Sequence, residues 1–346
     1  MRFFIAVSGF RRGFKEALMR AVQVAKTGGP EVLDCVEVPK PGIKHGQVLV
    51  RIHAIGVGKP DVLVRTGVYK WMPPLPAIPG IEATGHVAAL GAGVQGLRVG
   101  EPVFVYPWKT RGCYAEYVAV QAGDVTSLPA TVDLDDAATL SNFLVARAIL
   151  HEVPRGPTLR TLYVNGAAGG VGRAIVQMAK LEGIEVIAGA SSTMKCEFVR
   201  KLGASHAIDY STGNVADQVL AFTDGRGVDL VCDQIVGRDF TDTIRMLANW
   251  GTIVSFNALG GMPAQETFTA MRANLPKSPG IRCFTLRTYE DEPNSIRRLI
   301  GETVDLFASS RIRPAIFERI PLSQARRAHE LLDARKILGK VILKPQ

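Results

Sequence analysis

Nothing in these 346 residues forms an apolar run approaching the roughly 20 residues that span a bilayer, so the sequence predicts a soluble chain with no membrane partner. Cysteine is scarce: Cys35, Cys113, Cys196, Cys232 and Cys283 lie far apart, with no Cys-x-x-Cys pair. That spacing argues against a disulfide scaffold and a structural zinc lobe, and it fits a reducing cytoplasm. A basic block is missing too, although the formal net charge is +9. A phosphate-binding face needs clustered charge, and a single-strand binder needs aromatics between the cations; neither pattern occurs. The charge therefore reads as a solvated surface, without a nucleic-acid partner. Residues 1–18 lack the apolar centre and small-residue cleavage site of a secretory signal. Met19-Arg20-Ala21-Val22-Gln23-Val24 reads like the start of a domain, which makes 1–18 an N-terminal extension.

What is present is more telling. Asn165-Gly166-Ala167-Ala168-Gly169-Gly170-Val171-Gly172 follows the apolar run Thr161-Leu162-Tyr163-Val164 and opens an amphipathic stretch from Arg173 to Glu182. Strand, glycine turn and helix together bring backbone N–H groups and a positive helix end up to a pyrophosphate. Gly169 permits the tight turn, Gly170 lets a ligand approach the backbone, and Gly172 lets helix and strand pack closely. Ala168 and Val171 complete the cofactor-binding turn.

A second strand, Glu185-Val186-Ile187-Ala188-Gly189-Ala190, ends at Ser191-Ser192, with Lys195 one turn later. An NAD-preferring site usually carries an acid here for the ribose 2′-hydroxyl. Two hydroxyls and a cation suit a 2′-phosphate instead, so the cofactor read from these residues is NADPH. A bland alternative, with a serine as helix N-cap and Lys195 as a surface charge, accounts for the same serines. Phe256 and Asn257 follow the fifth strand of the alternating region, at the carboxyl ends where a nicotinamide lies.

Organisation follows from the change in pattern. From Met19 to about Phe143 short β-rich runs alternate with Gly/Pro turns: Ala21 to Val24, Val48 to Ile55, Ala83 to Leu90, Pro102 to Tyr106 and Tyr114 to Val120. Strand–helix alternation then takes over, with helices opening near Arg173, Thr193, Asn214 and Asp239. The tail from Ile316 to Leu343 reads strand, helix, strand. The fold class is thus α/β, a doubly wound parallel sheet of Rossmann type inserted into a mostly-β catalytic domain. The divisions are 1–18 extension, 19–143 first catalytic part, 144–282 cofactor domain and 283–346 return to the catalytic part. The run Gly280-Ile281-Arg282-Cys283-Phe284-Thr285-Leu286 reads as an edge strand needing a partner.

Taken in order, several further motifs resemble one family. They are Gly28-Gly29-Pro30-Glu31-Val32-Leu33, Gly56-Val57-Gly58-Lys59-Pro60-Asp61, Gly67-Val68-Tyr69 and Pro79-Gly80-Ile81-Glu82-Ala83-Thr84-Gly85. Gly112-Cys113-Tyr114-Ala115-Glu116-Tyr117, the Ala-Ala-Gly-Gly-Val-Gly turn, Leu202-Gly203-Ala204 with Asp209-Tyr210, and Ala328-His329-Glu330-Leu331-Leu332 follow. Together they resemble the medium-chain dehydrogenase/reductase superfamily, in its zinc-independent quinone oxidoreductase (zeta-crystallin-like) branch, over nearly the whole chain. The resemblance implies a GroES-like catalytic domain, a homodimer pairing two cofactor domains, and a 2′-phosphate site of Lys195, Tyr210 and Arg335. It implies an active-site tyrosine at Tyr69 over the nicotinamide, with Lys59 and Asp61 flanking the place of the zinc in metal-dependent members and Asn142 opening a helix under the cleft as its candidate cap. Those members carry Cys near Gly58 and His at Ile81; neither side chain here offers a lone pair, so no metal is expected.

Without a Lewis acid a simple ketone resists hydride addition, whereas quinones and activated alkenes are already electrophilic. The implied activity is hydride transfer from NADPH to quinones or other conjugated carbonyls. Enone or 2-enoyl(-CoA) reduction is the alternative within the superfamily, and a non-catalytic nucleic-acid-binding or structural role is the alternative from another class. Gly58, Leu63 and Val145 replace more polar residues of the branch, which implies an apolar pocket.

Overall fold

The structure is a computed structural model and describes residues 17–107, 110–153, 159–264, 266–335 and 337–345. The extension 1–18 therefore falls almost wholly outside the described residues. The chain opens with a ribbon of β1 (Leu18–Val24) and β2 (Leu33–Pro39), antiparallel with Leu18 opposite Pro39. Next come β3 (Gln47–Gly56), α1 (Lys59–Thr66), β4 (Ala83–Leu90), β5 (Pro102–Val105), β6 (Tyr117–Gln121) and β7 (Val125–Ser127). These strands share a sheet with two that arrive much later, β14 (Ile316–Pro321) and β15 (Lys340–Lys344), in the order β14-β15-β3-β4-β5-β7. β6 and β15 divide one edge of β3 between them: β6 pairs with Gln47 to Arg51, and β15 with Ile55 and Gly56.

Between those two visits to the first sheet the chain builds another. After α2 (Leu134–Ala137) and α3 (Leu140–His151) come β8 (Thr161–Asn165), α4 (Gly170–Leu181), β9 (Glu185–Ala190), α5 (Thr193–Leu202) and β10 (His206–Asp209). Then follow α6 (Val215–Phe222), β11 (Val228–Asp233), α7 (Asp242–Arg245), β12 (Leu247–Ser255), α8 (Thr267–Ala273), β13 (Gly280–Cys283) and α9 (Pro293–Ala308). The six strands are all parallel, in the order β10-β9-β8-β11-β12-β13. This is a doubly wound sheet set between the parts of a mostly antiparallel one.

Strand periodicity decides which face each residue serves. In β8, Leu162 and Val164 enter the core under α3, α4 and α9, while Tyr163 enters the opposite core with Ile187, Val231 and Ile253. Both faces are covered, so the strand is apolar throughout rather than alternating. Complete burial of each such aliphatic side chain stabilises the fold by about 1.5–3 kcal/mol. Phe307 of α9 meets Phe143 of α3 edge-on at 5.1 Å.

Several sequence expectations shift by a few residues, for local reasons. The strand expected from Tyr114 starts at Tyr117, because Tyr114 and Ala115 turn inward: Val22 N donates to Tyr114 O (2.7 Å), and Ala115 bridges Ala21. The helix expected near Asp239 begins at Asp242, after turns that bind Phe240 N to Gly237 O. Side chains from Leu286 to Phe307 share the core of the parallel sheet, so the chain crosses back to the first sheet at Ile316, later than residue 283. After α10 (Ala325–Asp333), β15 does rejoin that sheet, as the tail pattern implied.

Candidate active site

The glycine turn takes the geometry its sequence dictates. Gly166 has φ +76 and its carbonyl accepts from Gly169 N at 3.0 Å, closing the turn before α4. The first-turn N–H groups of α4, on Gly170, Val171 and Gly172, have no intrahelical acceptor and face the turn's open side. A Cβ on Gly170 would stand 3.0 Å from the Asn142 side chain; a Cβ on Gly172 would stand 2.6 Å from Gly166 O. At Gly170 and Gly172 a side chain would crowd the Asn142 amide or the turn's own backbone. Ala168 and Val171 pack against the core beneath it.

At the end of β9 the predicted polar residues meet. Lys195 Nζ donates to Ser191 Oγ at 2.9 Å, and Ser192 caps α5 by accepting from Lys195 N at 3.4 Å. Ser192 thus caps the helix, while Ser191 holds the Lys195 ammonium. β10 lies alongside β9, and Tyr210 N donates to Ala190 O, which sets Tyr210 beside the same strand end. Arg335 stands apart: it follows α10 at φ +54, and the described contacts join it to neither Lys195 nor Tyr210. Its charge bears instead on Lys59, whose ammonium pKa is lowered by burial, with Arg335 and Arg65 acting in the same direction and Asp333 opposing them.

Lys59, the first residue of α1, is accordingly tied to the α10 side rather than to Glu82. The cation beside Glu82 is Lys340, the first residue of β15. Its Nζ lies 2.7 Å from Glu82 Oε1, with both side chains buried, and Glu82 Oε2 accepts from Ser141 N at 3.0 Å. The same ammonium is 3.7 Å from where a Cβ of Gly58 would be. Asp61 is wholly buried, accepting from Gly58 N (2.9 Å) and Gly80 N (3.1 Å); burial raises its pKa to about 6, with the Gly58 bond opposing. Asp61 is a brace between two loops.

These residues do not fit a catalytic zinc. Gly58 and Ile81 carry no donor atom, and Glu82 is committed to an ammonium and a backbone N–H. Among the described residues no three His, Cys, Asp or Glu side chains gather as a metal site.

A small crevice, open to solvent, links the two halves. Thr139, Asn142, Gly170, Arg173, Ala315 and Lys340 are among its walls. Asn142 does not cap α3, whose N-cap is Thr139; its amide lies beside Gly170 of the glycine turn, and it lines the crevice with Lys340. Arg173 is buried without a carboxylate, donating to Gly169 O and to Ala315 O, each at 3.2 Å, and burial lowers its pKa to about 10. It ties the α4 turn to the segment that leads into β14.

At the carboxyl ends of β11 and β12, Asp233 Oδ1 accepts from Asn165 Nδ2, Ile235 N and Val236 N, while Phe256 N donates to Asp233 O. Gln234 Nε2 donates to Gly166 O at 2.6 Å. Phe256 and Asn257 thus flank the glycine turn along the sheet's carboxyl edge. Tyr69 lies at another mouth, with its ring 4.3 Å from the Arg111 guanidinium and 5.5 Å from Trp71, over which Arg287 stacks at 4.4 Å. Tyr106, buried behind them, has its pKa raised first by burial and then by Glu82 and Tyr69.

Residues 44–130 match the family described as Alcohol dehydrogenase GroES-like domain, and residues 170–301 the one described as Zinc-binding dehydrogenase. A quinone oxidoreductase from Pseudomonas aeruginosa is 33% identical over 95% of this chain and 100% of its own. The chain belongs to the medium-chain dehydrogenase/reductase superfamily, in its quinone oxidoreductase branch. Among solved structures, Escherichia coli quinone oxidoreductase complexed with NADPH superposes with a TM-score of 0.85 at 28% identity, covering 94% of this chain and all of that one. A quinone oxidoreductase from Pseudomonas syringae gives 0.87 at 29% identity, over 94% of this chain and 100% of its own.

Sequence reasoning found the glycine turn and the Ser191–Tyr210 cluster. It missed Lys340, Arg173, Gln234 and Arg111. Lys340 carried one signal, a lysine where an apolar strand begins; the others read as ordinary loop or helix residues.

Proposed function

We propose that this chain is an NADPH-dependent, zinc-independent oxidoreductase that reduces quinones or other activated conjugated carbonyls by two electrons. The observation that carries this is the crevice, whose walls include Gly170 of the glycine turn and Lys340, the partner of the buried Glu82. Ala168, Gly169, Gly170, Val171 and Gly172 would hold the pyrophosphate. Ser191, Ser192, Lys195 and Tyr210 would hold the 2′-phosphate, with Phe256 and Asn257 at the nicotinamide end. The bound cofactor supplies a hydride. The protein's part is to position the acceptor, exclude water and donate hydrogen bonds to the oxygen that gains charge. Tyr69 has a hydroxyl for that task, and the Asn142 amide lines the path between the turn and Lys340. Weak donors suffice when reduction of a quinone makes an aromatic ring, whereas an enone requires a donor and then a proton at its enolate.

The test is NADPH and NADH oxidation against a panel of quinones, enones and enoyl thioesters. Turnover with quinones or enones and a preference for NADPH are expected; a chain that oxidises only simple alcohols would overturn the reading. Lys195→Ala should raise the NADPH Michaelis constant roughly tenfold or more, the loss of one charge-assisted contact of about 1.5–3 kcal/mol. NADH should be almost unaffected. An equal effect on both cofactors would place Lys195 elsewhere.

We also infer a homodimer. β13 pairs with β12 on one side and closes the sheet's order, leaving its other edge without a partner among the described residues. A second β13 across a twofold axis would continue the sheet, and a monomer in light scattering at micromolar concentration would reject this. The five cysteines are all free, which supports a reducing compartment such as the cytoplasm.

A further inference from the structure

Arg111 is held where an arginine is hard to place. Its backbone has φ +56, a left-handed conformation that ordinary side chains avoid, fixed by Arg111 N donating to Pro107 O at 2.6 Å. Its side chain is 4% exposed, yet among the described residues neither Nη1 nor Nη2 has a hydrogen-bond partner. Buried guanidinium groups normally sit against a carboxylate, because an unpaired buried charge is strongly unfavourable. Neither Asp61, on which its charge acts, nor Glu82 hydrogen-bonds it. Asp61 gives both oxygens to Gly58 N and Gly80 N, and Glu82 gives its own to Lys340 and Ser141 N.

The Arg111 guanidinium lies over the ring of Tyr69, at 4.3 Å, and its charge also acts on Asp61 and Tyr106. Stacking uses the face of the guanidinium plane and leaves its edge, where the N–H bonds point, unused. A pair of parallel N–H bonds on one edge matches a carboxylate. Tyr69 belongs to the Val68–Trp71 loop, which follows the helix-ending Gly67 at φ +78. Backbone bonds from Val68 N and Tyr69 N to Leu63 O hold its start, and Val68 is 69% exposed at its outer side. Arg287 on Trp71 places a second cation at the same mouth.

We propose that Arg111 anchors the substrate, and that this cleft selects conjugated acceptors bearing an anionic oxygen, a carboxylate or an ionised hydroxyl, which docks on the in-plane edge of the guanidinium. The loop carrying Tyr69 moves to admit it, and the substrate's ring lies against the tyrosine. This rests on the reductase reading above, since it assigns a substrate class to that reaction from the mouth beside Tyr69.

The experiment is calorimetric titration with two redox-inert rings of one shape, naphthoate and its neutral amide, with and without NADP⁺. Wild type should bind naphthoate roughly tenfold to a hundredfold more tightly than the amide, the span expected for a charge-assisted hydrogen-bonded pair. Arg111→Met should abolish that preference with little change in affinity for the amide. Arg111→Lys keeps the charge but loses the paired edge, and should retain only part of it. Lysine also guards against a methionine variant that fails to fold, which thermal melting would reveal. A wild type that does not discriminate, or a methionine or lysine variant with the full preference, overturns the proposal. No turnover is needed, so a failure of the quinone panel and a failure of this inference are separate results.

Discussion

Replacing Lys340 with methionine should destabilise the protein by about 3–5 kcal/mol, the cost of stripping the partner from a buried charge. Glu82 is 1% exposed, and with the ammonium gone it would keep only the Ser141 N–H. Methionine fills a similar volume, so the loss should come from the orphaned carboxylate rather than from a cavity. The pair is coupled by this account, and a double-mutant cycle reads the coupling. Lys340→Met and Glu82→Gln should each be costly alone, while the double variant should recover much of the loss, because a neutral amide against methionine leaves no buried charge. Urea unfolding midpoints of the four proteins decide it. Additive single effects would mean that the two groups do not depend on each other. Turnover should fall along with stability in Lys340→Met, since the same ammonium lines the crevice beside Asn142 and Gly170.

Gly172→Val should lower turnover by about a hundredfold. The added side chain would meet Gly166 O at 2.6 Å and the Ala167 Cα at 2.8 Å, and both are backbone atoms that cannot rotate aside. The start of α4 would have to lift from the turn, and a displacement near 1 Å at a positioning element costs about that factor. Overpacking should also remove about 1–3 kcal/mol of stability. Gly123→Ala is the control, since a Cβ there meets nothing within 4 Å. A Gly172→Val protein that binds and turns over the cofactor normally would show that the turn does not need its close packing.

What could be seen in advance follows the range of the forces involved. The glycine turn, Ser191, Ser192 and Lys195 sit within one supersecondary unit, so their spacing along the chain fixes their spacing in space. Strand–helix alternation is also local, and it revealed the parallel sheet. β2 escaped notice because most of its residues are half-buried or exposed and it depends on pairing with β1; α1 is only eight residues long, and its buried Val62 and Val64 sit among charged neighbours. Lys340 and Glu82 are 258 positions apart, and no periodicity links them. Arg111 sits in a Gly-flanked turn, where a charged residue ordinarily faces water; only its burial exposes the anomaly. Arg335 was placed by resemblance alone, and the contacts join its charge to Lys59 instead.

β15, the last strand, lies between β14 and β3 and brings the crevice its lysine. During synthesis the parallel sheet is complete well before these residues leave the ribosome, so the two sheets mature at different times. A chain halted before Lys340 would carry a finished nucleotide fold beside a first sheet with an open edge at Ile55 and Gly56. Premature termination near the end should therefore yield a product fit for proteolytic clearance rather than a slightly weakened enzyme.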